Sequence, residues 1–505
     1  MKLERSSGVI LHPTSLAGAG GVGCLGGPAR RFIDRLQSAQ QRWWQVLPLN
    51  PPGHGGSPYS ATSAFAGSPI LLDPKPLVRR GWLAQEDSSK FEAQCEKIPS
   101  RRYNIDEVGK IKGDLLERAA HNWQAEGGGD DEGFRAFCDE HDGLWLDDYA
   151  LFAALKKVHD QAEWQKWPAP LVRRDPEALQ GARRRLADSI RVEKFLQWQF
   201  FEQWTDLREY AAERGVRLLG DLPIFVAMDS ADAWARRDLF ELDAAGEAMA
   251  VAGVPPDYFS ETGQRWGNPL YDWEAIAAED YRWWVARVAH VMKTVDLVRV
   301  DHFRGFEAYW RIPAEEETAV NGEWVDGPKD AIFDAIRRQL GKVPFVAEDL
   351  GTITDEVYEL RDRHGLPGMR VLQFAFDGDP EHPFLPHNYP EHTVAYTGTH
   401  DNDTTRGWYD GLSEEEKHRV RTYLAHPDEG IVWRMIEELW QSKAATVIVP
   451  FQDLFELGSE HRMNTPGVAE DNWQWRMTEE ELSDEETFQR LGQLTEATGR
   501  RQGEA

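Results

Sequence analysis

The sequence predicts an α/β protein: a (β/α)8 TIM barrel with large, mostly helical insertions and no separate C-terminal β-domain. Three observations predict it. Eight short apolar runs rich in β-branched residues recur along the chain, bounded by Gly, Pro and Asp. Amphipathic helical segments lie between many of them, the alternation of a parallel sheet covered by helices. The 505 residues suffice for one barrel of roughly 250 residues with long excursions, so residues 1–505 read as a single catalytic domain.

In chain order the runs are residues 8–12, 43–49, 217–225, 297–303, 344–350, 369–375, 393–400 and 445–451. Pro28 opens a helix after the first, with Phe32, Ile33 and Leu36 on one face, and residues 330–340 and 354–364 read similarly. The span 50–216 is too long for a loop. Phe195, Trp198 and Phe201, at helical spacing within 189–214, make it a mainly helical insertion between the second and third strands. Inside it, the Gly-Gly-Gly-Asp-Asp-Glu-Gly segment 127–133 reads as a flexible excursion. A second insertion, 229–280, is rich in Gly, Pro, Tyr and Trp, and the tail beyond Gly492 reads as frayed.

Composition excludes several partners. With 86 acidic against 57 basic residues the formal charge is −29, which repels nucleic acid and anionic membrane alike. The first seven residues contain no apolar core of a signal peptide, and nothing approaches the roughly 18 apolar residues of a membrane span. A cytoplasmic location is expected. Cys24, Cys95 and Cys138 form no CxxC pair, so neither a disulfide framework nor a zinc site is expected. The 21 Trp fit a sugar-binding groove and ordinary core packing equally well.

In a barrel of this kind the chemistry sits at the C-terminal ends of the strands. The third run ends with Asp221. The fourth carries Arg299 and Asp301 on one face by the period of two, so the guanidinium is expected to keep the aspartate ionised by lowering its pKa. The fifth ends with Glu348, which partial burial should push up towards the range of a proton donor. The seventh adds His400 and Asp401. Cleaving a glycosidic bond with retention needs two carboxyl groups about 5 to 5.5 Å apart, and neighbouring strands can supply Asp301 and Glu348 at that spacing.

These segments resemble a known family. Arg299-Val300-Asp301-His302-Phe303-Arg304-Gly305, Ala347-Glu348-Asp349-Leu350-Gly351 and Gly398-Thr399-His400-Asp401-Asn402 are similar to the conserved regions of amylomaltases, or disproportionating 4-α-glucanotransferases, of the α-amylase superfamily. The likeness extends to His12-Pro13-Thr14-Ser15-Leu16, Ser57-Pro58-Tyr59, residues 253–259, Gln264-Arg265-Trp266-Gly267-Asn268-Pro269, residues 462–467 and Asn472-Trp473. His54 and Gly56 depart from it, standing where the family often has Tyr and Asp. The resemblance implies Asp301 as nucleophile, Glu348 as general acid/base and Asp401 as transition-state stabiliser. It further implies that Tyr59, Asp221, Arg299, His302, His400, Ser57 and Asn464 surround the sugar, and that Tyr258, Phe259, Trp266, Asn268 and Pro269, on the loop 251–271, cover the bound chain. Substrates would be maltooligosaccharides, amylose or other α-1,4-glucans, and no cofactor would be needed.

Other functions read less well. Gly18, Gly20 and Gly23 fit GxGxxG, but the next run ends Pro48-Leu49-Asn50, without the acidic residue a dinucleotide ribose needs. No HExxH or comparable ligand cluster points to a catalytic metal. An α-amylase-type hydrolase shares the three carboxylates and stays open. A glucan-binding protein that uses its tryptophans alone would have no use for them.

Overall fold

In the computed structural model, which describes residues 3–256, 260–425, 430–468 and 470–501, the strands in chain order are β1 Ser6–Ile10, β2 Trp43–Gln45, β3 Arg217–Pro223, β4 Ala250–Val254, β5 Gln264–Pro269, β6 Leu297–Asp301, β7 Ala308–Pro313, β8 Glu323–Asp326, β9 Phe345–Ala347, β10 Gly368–Val371, β11 Thr393–Tyr396 and β12 Thr446–Pro450. Eight pair in the order β10-β11-β12-β1-β2-β3-β6-β9, all parallel. The Ala347 amide donates to Pro367 O at 2.8 Å, directly before β10, and closes the ring. Each of the eight apolar runs contributes one barrel strand. The protein is a (β/α)8 barrel with helical insertions.

Helices pack against the outside. Gly27–Ser38 buries Phe32, Ile33 and Leu36, and Asp330–Leu340 buries Ile332, Phe333 and Ile336. Between β2 and β3 the chain is mainly helical, from Pro74–Arg79 to the 26-residue helix Ala187–Ala212, which buries Phe195, Trp198 and Trp204. Polar caps set the boundaries there: the Asn104 side chain accepts from the Asp106 and Glu107 amides, and Asp131 accepts from Gly133 and Phe134.

Two expectations need correction. Residues 127–133 are no flexible excursion: they form a turn followed by the helix Glu132–His141, and a Cβ at Gly128 would come within 2.2 Å of the Trp123 indole, so only glycine fits beneath that ring. Nor is the tail frayed as far as residue 501. Helix Glu485–Ala497 buries Phe488 and Leu491, and the fully buried Arg500 donates to the carbonyls of Ser6, Trp440, Ser442, Ala444 and Ala445, stitching the tail to the start of β1 and to the approach to β12.

The rim after β3 and β6 carries a further sheet that the sequence did not announce. Strands β4 and β5, from within 229–280, pair antiparallel with β7 and β8 in the order β5-β4-β7-β8. It brings the segment around Trp266 alongside the C-terminal end of β6. The tryptophans are chiefly core: of 21, only Trp266 and Trp324 are exposed.

Candidate active site

Register assembles the carboxylates. β3 and β6 align Asp221 with Arg299, while β6 and β9 align Val300 with Ala347. Residues in register project to the same side of a sheet, so Asp301 and Glu348, each one step further, adjoin at the mouth of the barrel. The Glu348 amide continues the pairing by donating to Val300 O at 3.1 Å.

Arg299, 3% exposed, is the hub. Its Nη1 donates to both carboxylate oxygens of Asp221, at 2.8 and 2.7 Å, and its Nη2 donates to Asp301 Oδ1 at 2.8 Å. Tyr59 Oη donates to Asp221 Oδ2 at 2.8 Å, so one arginine and one phenol fix two acids. Asp301 keeps an open side, its side chain 30% exposed.

Glu348 is held differently. Its Oε2 accepts from the His302 amide at 2.7 Å and its Oε1 from the Leu350 amide at 3.0 Å. His302 can aim that amide because its backbone is left-handed, φ 51°, a conformation rare outside glycine and frequent at functional sites. Burial, in spite of Arg299 and together with the negative charge of Asp301, pushes the Glu348 carboxyl up to about 8. Asp301 corrects an expectation: Arg299 does pull its pKa down, but burial is the larger effect and Asp221 and Asp401 add to it, leaving it raised to about 6. The two acids still differ in the sense a donor and a nucleophile require.

Asp401 follows β11. Its Oδ1 accepts from Asn464 Nδ2 at 2.6 Å, and its carbonyl from Arg462 Nη2 at 2.6 Å. The His400 ring lies parallel to Tyr59, centroids 5.2 Å apart at 7°. His400 Nε2 stands 3.3 Å from Asp401 Oδ2, yet neither ring nitrogen has a hydrogen-bond partner among the described residues. His302 Nε2 is likewise unpaired, and burial pushes its imidazole down to about 3. Imidazoles with unmet hydrogen-bonding capacity are suited to hydroxyl groups.

Most of the remaining residues singled out in the sequence gather here. Ser57 Oγ accepts from the Tyr59 amide at 3.2 Å. Trp266, 38% exposed, sets its ring edge-on to His302 at 4.8 Å. Asn268 turns its amide to Val226 O at 2.8 Å, and Pro269 is buried opposite Val251. Tyr258 and Phe259 lie outside the described residues. The sequence did not single out Arg462 or Trp473 as site residues, nor the amides of His302 and Leu350. Backbone donors carry no residue signature, and Arg462 acts through its side chain on a main-chain carbonyl.

The sequence profile of the 4-alpha-glucanotransferase family matches residues 11–482. The 4-alpha-glucanotransferase of Thermus thermophilus is 49% identical over 99% of this chain and 100% of its own length, and that of Synechocystis sp. is 45% identical over 99% and 98%. Among solved structures, the amylomaltase from Streptococcus agalactiae in complex with acarbose superposes with a TM-score of 0.93 at 35% identity, over 99% of this chain and 100% of that one. Paired acids on adjoining strands, a barrel scaffold and likeness along the whole chain agree: this chain belongs to the 4-alpha-glucanotransferase family.

Proposed function

We propose that this protein, as an amylomaltase, moves α-1,4-glucan segments to a glucose or glucan acceptor by double displacement with retention, in maltodextrin, starch or glycogen metabolism. Asp301 attacks the anomeric carbon while Glu348 protonates the departing glycosidic oxygen, leaving the donor segment as an ester on Asp301. An acceptor sugar hydroxyl then gives its proton to Glu348 and its oxygen takes the segment from Asp301. Asp401, oriented by Asn464, holds hydroxyls of the distorted sugar, and Asp221, Arg299, Tyr59, His302 and His400 surround it. Ser57 sets the turn that presents Tyr59. Trp266, with Tyr258, Phe259, Asn268 and Pro269 of the same loop, covers the chain and favours a sugar acceptor over water.

The observation that carries this reading is a pair of acids held unequally on neighbouring strands, Asp301 by the Arg299 guanidinium and Glu348 by two backbone amides. Burial beside Asp301 pushes the Glu348 carboxyl the further up, which suits it to donate the proton while Asp301 attacks. The three unpaired thiols, Cys24, Cys95 and Cys138, support a reducing compartment such as the cytoplasm, and no helix of the described residues is long and apolar enough to cross a membrane.

Incubation with maltotriose tests the proposal. Transfer yields glucose and oligosaccharides longer than the substrate at a constant number of reducing ends. Reducing ends that rise with every cleavage would assign the site to a hydrolase.

A further inference from the structure

Trp473 has no part in the chemistry above, yet its setting is unusual. It sits in the left-handed region at φ 66° beside Asp471 at φ 62°, a conformation bulky residues rarely adopt. Such strain persists only where the surroundings enforce it. The enforcing contacts are visible: the Trp473 amide donates to Met463 O at 2.8 Å, and Asn472 accepts from the Thr465 amide and donates to Val468 O, at 2.8 and 2.7 Å. These bonds tie residues 463–468 to 472–473: the first arm supplies Asn464 to Asp401, and Trp473, 8% exposed, packs beside the same site.

There the indole meets both members of the ring stack, 5.7 Å from Tyr59 and 5.9 Å from His400. It also lines a small pocket, with room for about one water, together with His12, Thr14, Asn50, Pro58 and Tyr103. His12 Nδ1 is buried there without a partner among the described residues, and His12, Thr14 and Asn50 are the polar neighbours a buried water needs.

We propose that Trp473 is a positioning residue of the transfer reaction: its ring braces Tyr59 against His400 and walls the sugar site off from the polar pocket behind them. This rests on the roles proposed for Asp301 and Glu348. A braced wall matters most when the sugar distorts, so its loss falls on turnover more than on donor binding. An opened wall also lets pocket water compete for the ester on Asp301. Water then supplies the oxygen to the anomeric carbon and gives one proton to Glu348, releasing a free sugar in place of a longer glucan.

The test compares W473A, W473L and W473F with the parent enzyme on maltotriose, recording kcat, donor KM, the ratio of new reducing ends to transfer products, and the thermal midpoint. W473L keeps bulk without a flat ring. We expect W473A and W473L to lose about tenfold or more in kcat, with donor KM changing less than about threefold and the hydrolysis ratio rising several-fold, and W473F to recover most of the loss. W473L at parental kcat and parental hydrolysis ratio overturns the inference, as does a thermal midpoint that falls while kcat per folded enzyme and the ratio stay constant. D301N separates the two levels: an active D301N removes the underlying reading, whereas a dead D301N with a normal W473L removes this inference alone.

Discussion

Two of the clusters that histidines form with aromatic rings in this protein differ in how their nitrogens are satisfied. Where the insertion 50–216 meets helix Arg282–Thr294, His141 and His290 sit 5.9 Å apart among Phe65, Phe137, Trp145 and Phe201. One nitrogen of each is engaged: His141 Nδ1 accepts from Trp145 Nε1 at 3.4 Å, and His290 Nε2 bonds Phe65 O at 2.9 Å. At the barrel mouth, Tyr59, His400 and Trp473 pack at similar distances, but both His400 nitrogens lack partners among the described residues. Ring packing therefore does not distinguish core from site. An imidazole with both nitrogens unmet beside Asp401 does so better, because a buried polar group without a partner calls for an explanation and a sugar hydroxyl would supply one.

The largest effect should come from the acids that give the second cluster its purpose. D301N or E348Q is expected to lower kcat with maltotriose by on the order of 10⁴-fold or more, measured as glucose release, with donor binding by E348Q retained in calorimetry. Next, H400A removes a hydroxyl partner and should cost about 10²-fold in kcat, while circular dichroism shows an unchanged fold. Donor must meet an ionised Asp301 and a protonated Glu348 in the free enzyme, so kcat/KM should fall about tenfold for each pH unit below about 6 and above about 8. A profile flat from pH 5 to 9 would contradict the assignment. The smallest catalytic effect belongs to the core cluster: H290A should destabilise by about 2–4 kcal/mol in denaturant titration, yet leave kcat per folded enzyme unchanged. If H290A impaired turnover as strongly as H400A, the distinction between the clusters would collapse.

Much of this was legible in the sequence. β-branched runs mark the barrel strands because strands buried on both faces must be apolar along their whole length, and the polar residues that end them, Asp221, Asp301, Glu348 and His400, stand out for that reason. Strand length was less legible. The run 43–49 is apolar but for Gln45, yet only Trp43–Gln45 is strand, since apolarity records burial and not pairing. The rim sheet was invisible because its halves come from segments after two different barrel strands and pair only once the barrel has brought them together. The pKa of Asp301 was misjudged for a related reason: Arg299 is adjacent in sequence, whereas the burial and the two further carboxylates that outweigh it come from β3 and β11. Trp473 carried no signal beyond family likeness, because a left-handed backbone is imposed by its neighbours.

The stitch made by Arg500 bears on synthesis. Strand β1 finds one of its two partners only once residue 446 has been made, and the arginine that fastens the seam is made later still. At about 5–20 residues added per second, the nascent chain carries an unzipped strand edge for tens of seconds. Closure of the seam therefore comes late in synthesis, and removing Arg500 would loosen it at β1 before it disturbed Asp301 or Glu348.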